Sequence, residues 1–157
     1  MSDPGISFCD GTLADLDAVM TVMDDSFDPR FGEAWTASQC AGLLPLPGVW
    51  MTLARSGESV VGFALARTVA DEAELLLLAV RRPMQGQGVG RMLLERFTQQ
   101  AQEHGAKRVH LEVREGNHAL RLYEQAQFTL VGRRRNYYSG RAGQTYDALT
   151  LAKSAHR

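Results

Sequence analysis

Leu13, Leu16, Val19, Met20 and Met23 recur at intervals of three and four residues, the spacing that stripes one face of an α-helix. Thr12 with Asp15 three positions on resembles a capping box at its start, and Asp28-Pro29 stops it. Thr36 with Gln39 repeats the cap ahead of a short helix that ends before Pro45 and Pro47. A short strand over residues 6–9 precedes both helices, and residues 31–35 read as a loop carrying exposed aromatics. From Val49 the period changes: residues 49–55 and 59–69, joined at Ser56-Gly57-Glu58, read as a β-hairpin. Residues 71–81 hold the unbroken apolar run 75–80, expected of a central strand buried on both faces. After a glycine-rich turn, Val89, Met92, Leu93, Phe97 and Ala101 mark a long helix ending at Gly105. A strand over 109–113 alternates with His110 and Glu112; a short helix over 119–126 and strands near 129–138 and 146–152 follow. This order predicts a mixed α/β (α+β) fold.

Composition narrows the picture without changing it. The 157 residues, 45% hydrophobic, suffice for one core, so 1–157 reads as a single domain. A net charge of −1, from 17 basic and 18 acidic side chains, supplies no excess to hold a phosphate backbone, so nucleic acid is not expected as a partner. The run Arg133-Arg134-Arg135 reads as a solvated strand or turn. Cys9 and Cys40 make no metal spacing and no disulfide framework, and both read as small buried hydrophobes; no metal is expected. Asp3, Asp10, Asp15 and Asp17 interrupt the first twenty residues, which lack a secretory apolar run. The run 75–80 is too short to cross a bilayer, so no membrane contact and a cytoplasmic location are expected.

The candidate chemistry starts where Leu78-Ala79-Val80 runs through Arg81-Arg82-Pro83-Met84 into Gln85-Gly86-Gln87-Gly88-Val89-Gly90-Arg91. A buried strand enters a loop with three glycines, and the loop opens directly into a helix. Glycines let main-chain amides approach a ligand, and those amides converge at the positive end of the helix dipole. That suits a diphosphate. Gly86-x-Gly88-x-Gly90 is not the dinucleotide spacing G-x-G-x-x-G, and no nucleotide-triphosphate loop motif is present.

Gln85-x-x-Gly88-x-Gly90 in this strand–loop–helix setting resembles the [QR]-x-x-G-x-[GA] signature of the GCN5-related N-acetyltransferases. The resemblance runs from the first strand to about Lys153. It implies a mostly antiparallel sheet of about seven strands, splayed between strands 4 and 5 and flanked by about four helices. It also implies acetyl-coenzyme A (acetyl-CoA) as co-substrate, held by Leu78, Ala79, Val80, Gln85, Gly86, Gln87, Gly88, Val89, Gly90, Arg91 and Asn117. Within the family the chain is most similar to the ribosomal-protein-alanine N-acetyltransferases. Leu111-Glu112-Val113-Arg114, Asn117 with Leu122-Tyr123, and Arg134-Arg135-Asn136-Tyr137-Tyr138 carry that similarity. By this resemblance Glu112 is the general base and Tyr123 the general acid, and Trp35, Tyr137 and Tyr138 meet the acceptor. Three departures stand out. Asn117 and Tyr123 are one residue closer than in the family pattern, about 100° of helix rotation. Gln127 replaces the glycine usual before Phe128, and Gly86 replaces a common arginine.

The roles make chemical sense on their own. An amine must be neutral to attack a thioester, so a carboxylate takes its proton, and a phenol can donate to the departing sulfur. An α-amine with pKa ~7.8 is roughly a quarter neutral near pH ~7.4, whereas a lysine amine near ~10.4 is neutral about 0.1% of the time. One glutamate therefore suits a protein or peptide N-terminus better, with a small-molecule amine as the alternative acceptor and a non-catalytic CoA-binding module as the rival from another class. His110 shares the strand face of Glu112, and Glu72 and Glu74 are reserve bases. A monomer or homodimer is expected.

Overall fold

The computed structural model describes residues 5–156. Its strands are β1 (Ile6–Asp10), β2 (Val49–Ser56), β3 (Ser59–Val69), β4 (Glu72–Val80), β5 (Arg108–Arg114), β6 (Thr129–Ser139) and β7 (Thr145–Ser154). Its α-helices are α1 (Leu16–Ser26), α2 (Ala37–Leu43), α3 (Val89–Glu103) and α4 (Ala119–Gln125). The seven strands form one sheet in the order β1-β2-β3-β4-β5-β7-β6. Every neighbouring pair is antiparallel except β4 with β5. Both capping boxes form, although Thr12 opens a short 3₁₀ turn, Leu13–Asp15, ahead of α1.

Two cores lie on opposite faces of the sheet. Leu93, Leu94 and Phe97 of α3 pack on Val109 and Leu111, while Val19, Val22 and Met23 of α1 pack on Leu53 and Phe63. The crossing between them happens within β4. Ala73 and Leu75 belong to the α3 core, but Leu77 and Ala79 belong to the α1 core. Alternation alone cannot do this. Leu65 pairs with Leu77 and Ala66 with Leu75, which leaves Leu76 as an extra residue, a β-bulge. Pairing of β4 to β5 runs from Glu72 with Arg108 to Leu75 with Leu111 and stops there. The bulge bends β4 away from β5, and the sheet opens beyond it. The run expected to be buried on both faces is therefore buried at Leu75, Leu77 and Ala79 but only half-buried at Leu76 and Leu78, beside the opening.

Cys40 is buried as expected, whereas Cys9 is exposed; both are free thiols. Strand β1 is a sheet edge whose Ile6 and Phe8 turn to the core, so Cys9 faces outward, where its sulfur accepts from Arg55 Nε at 3.3 Å. No helix of the described residues is long and apolar enough to cross a membrane.

The missing glycine before Phe128 has a visible consequence. Gln127 N–H donates to Glu124 O and Phe128 N–H to Tyr123 O, a Schellman closure of α4, and Gln127 sits at φ +74°. That left-handed geometry costs a residue with a β-carbon about 1–2 kcal/mol. Gln127→Gly is expected to raise the thermal midpoint by roughly 2–8 °C, read by calorimetry; an unchanged or lower midpoint would refute the strain.

Candidate active site

The opening between β4 and β5 is lined by main chain. Arg81 N–H donates to Val61 O of β3 at 2.8 Å. Because successive residues of a strand direct their N–H and C=O to alternate sides, Leu78 and Val80 direct theirs toward the gap. Ala79, by the same alternation, turns its backbone to β3 and buries its methyl, so of these three candidates it alone offers the gap nothing. Gln85 Nε2 donates to Val80 O at 2.8 Å, which ties the glycine loop to the end of β4.

Gly86 and Gly88 adopt φ +79° and +89°, and a β-carbon on either would stand in open space. Gly88 is the N-cap of α3, and no side chain caps the helix. Met92 N–H is the first amide of the turn to bond back, to Gly88 O at 3.0 Å. The amides of Val89, Gly90 and Arg91 are thus left for another acceptor. Gly90 packs beside α4, where a β-carbon would make ordinary contact with Leu122 at 3.4 Å. The Arg91 side chain lies along α3 toward Glu95, at 3.2 Å, and Gln87 Nε2 donates to Pro83 O.

Across the gap, β5 directs Val109, Leu111 and Val113 into the α3 core, which places His110, Glu112 and Arg114 on the other face. Glu112 is 15% exposed, with Arg134 Nε 2.8 Å from its Oε2 but out of line for a hydrogen bond. Burial holds its carboxyl above the usual range; Glu74 adds to the rise, and Arg134 and His110 oppose it. His110 stands between Glu72 at 3.6 Å and Glu74 at 4.0 Å, and Arg67 pairs with Glu74 at 2.9 Å. The reserve bases are thus engaged where β4 and β5 are still joined. Tyr123 is buried against Phe128, and burial with the nearby Glu33 charge raises its hydroxyl pKa, so it is a phenol and a donor at neutral pH.

The remaining wall comes from residues 27–36 and the β6–β7 hairpin. Arg134 pairs with Ala148 and Tyr138 with Tyr146, so three residues of β6 face one of β7. Asn136 at φ +54° makes this bulge, its N–H held by Asp147 Oδ1 at 2.9 Å and Asp147 held by Arg133 at 2.8 Å. The bulge leaves Tyr138 half-buried, near Glu33 and Glu112, whose charges with burial raise its pKa. Tyr137 stays exposed, edge-on to Tyr138. The arginine run is thus divided: Arg133 clamps Glu115 and Asp147, Arg134 meets Glu112, and Arg135 is exposed.

The aromatics expected to be exposed are not. Phe31 lies under the Arg114 guanidinium at 3.7 Å and edge-on to Tyr146 at 5.2 Å, and Trp35 packs on the α1 core. The two walls touch through glycines: a β-carbon on Gly140 would lie 1.8 Å from Arg30 O, and one on Gly32 2.0 Å from Ser139 O. Gly140→Ala is expected to lower stability by about 1–3 kcal/mol in denaturant titration, as overpacking does; a wild-type midpoint would show that the walls can part freely.

A sequence model of the Acetyltransferase (GNAT) family matches residues 16–128. The chain belongs to this family. Its GNAT sheet superposes on the crystal structure of the ribosomal-protein-S18-alanine N-acetyltransferase from Escherichia coli with a TM-score of 0.85, at 28% identity, covering 97% of this chain and 95% of that one. A Haemophilus influenzae relative named [Ribosomal protein bS18]-alanine N-acetyltransferase is 41% identical over 93 residues, 59% of this chain. The match spans 64% of that relative's length. A Mycobacterium tuberculosis relative named N-alpha-acetyltransferase RimI is 36% identical over 138 residues, 85% of this chain and 80% of its own.

Glu33, Arg114 and Asp147 were not marked as site residues by sequence patterns. Glu33 stands in an irregular segment with no motif, and its partners lie more than eighty positions away. Arg114 enters the sequence reading only as the last residue of the Leu111-Glu112-Val113-Arg114 segment.

Proposed function

We propose that this GNAT chain moves the acetyl group of acetyl-CoA to the α-amine of a protein N-terminus, an alanine of the ribosomal-protein type, in the cytoplasm. One observation carries the reading: beyond Leu75 the edge of β4 is unpaired by β5, and the glycine loop leads from its end to the uncapped amides of α3. The amide groups of a pantetheine arm match a strand edge, and a diphosphate matches the helix start. The acceptor is supported by the names of the relatives, and by the carboxyl of Glu112 standing half-buried on the opposite wall.

On this reading Glu112 takes the proton of the acceptor ammonium, directly or through water. The amine nitrogen bonds to the thioester carbon while the Val80 N–H draws charge onto its oxygen. The carbon–sulfur bond then breaks, and Tyr123 gives its proton to the departing thiolate. Asn117 lies at the start of α4, where it anchors the helix that carries Tyr123.

The test is an acceptor panel: alanine-started peptides beside polyamines and aminoglycosides, each with acetyl-CoA, read by mass. Acetylation of the peptide α-amine is expected. Modification of the small amines alone would remove the protein-directed reading, and intact thioester with every acceptor would leave only a CoA-binding module.

A further inference from the structure

The side chain of Glu33 is only 9% exposed, and both of its carboxylate oxygens meet polar partners. Arg114 Nε donates to its Oε1 at 3.1 Å, and Asn117 Nδ2 donates to its Oε2 at 2.6 Å. Arg114, 10% exposed, also donates to Glu115 O and covers Phe31. The other end of the Asn117 amide, Oδ1, accepts from Ala119 N–H at 2.8 Å, in the first turn of α4. One carboxylate thus joins the segment between α1 and α2, the end of β5 and the start of α4.

We infer that Glu33 is a positioning residue for acetyl transfer, setting through Asn117 where α4 begins and through Arg114 where the acceptor wall rests. The inference rests on the transfer reaction proposed above. Where a helix begins decides where its side chains point, at about 100° per residue. Tyr123 lies on α4, so a shift of its first turn re-aims the phenol. Glu33 also lies near enough to Tyr123 and Tyr138 to raise the pKa of both, second to burial.

A donor–acceptor exchange separates this role from plain stabilisation. Glu33→Gln sets a new N–H donor against either Arg114 or Asn117, both of which already donate. Asn117→Asp sets a second carboxylate against Glu33. Combined, the two changes restore the match: the new amide nitrogen donates to the new carboxylate, whose other oxygen still accepts from Ala119 N–H. The carbonyl oxygen of the new amide stays on Arg114.

Each single change is expected to lower kcat about 10- to 100-fold on whichever acceptor the wild-type chain uses, as small misplacements do. KM for acetyl-CoA in Glu33→Gln should stay within about threefold, and the double variant should recover kcat to within about fivefold of wild type. A Glu33→Gln rate equal to wild type, or a double variant no faster than the slower single one, overturns the inference. If Glu33→Gln does not fold, the double variant against Asn117→Asp carries the same comparison. A wild-type chain without turnover on any acceptor sinks the transfer reading itself, and this inference with it.

Discussion

Glu112→Gln is expected to lower kcat/KM for acetyl transfer by about 10²–10⁴-fold, the range of a general base, while the chain stays folded. Glu112→Gln keeps the fold because of the direction in which burial moves this carboxyl. A carboxyl held above its unfolded value by burial binds more protons folded than unfolded. Folding is then opposed as pH rises through that window, so ionised Glu112 works against stability near neutrality and an uncharged isostere relieves it. The midpoint of Glu112→Gln should match or exceed that of wild type. In the wild-type chain, the acidic limb of kcat/KM should fall above the ordinary carboxylate range. Retained transfer in Glu112→Gln, or an acidic limb at the unperturbed value, would move the base elsewhere.

Gly88→Ala should weaken acetyl-CoA binding by at least ~10-fold, about 1.4 kcal/mol. A methyl on this N-cap residue stands in open space at the start of α3, and φ +89° strains any β-carbon. Strain and obstruction are separable within the same molecule. Gly105, just past the C-terminal end of α3, has φ +87° and equally open surroundings. Gly105→Ala should therefore lose a similar ~1–2 kcal/mol of stability and keep full affinity. Equal affinity loss in both would mean that backbone strain, not contact with the ligand, explains the effect.

The parts legible in the sequence are those whose cause is local. Capping pairs at Thr12 and Thr36, the turn at Gly57 and the glycine loop each act within a few residues, and each appears where the pattern places it. The opening of the sheet came from family resemblance rather than pattern. An apolar run reads alike whether or not Leu76 bulges, and only the change of core between Leu75 and Leu77 shows that it does. The β6 bulge was hidden for a related reason: Asn136 is bent by Asp147 and Arg133, a constraint that crosses the hairpin. Phe31 looked exposed because its cover, Arg114, lies on another element. Glu33 carried no signal at all, since its role is defined by partners that only the fold brings near.

Titrating acetyl-CoA into ¹⁵N-labelled protein and following the backbone amides by NMR tests the site most directly. The amides of Leu78, Val80 and residues 86–91 should shift together and saturate with one ligand. The groove of about 630 Å³ lined by Trp50, Gln100 and His104, away from the gap, should stay silent. Shifts confined to that groove, or none in folded protein, would contradict the account.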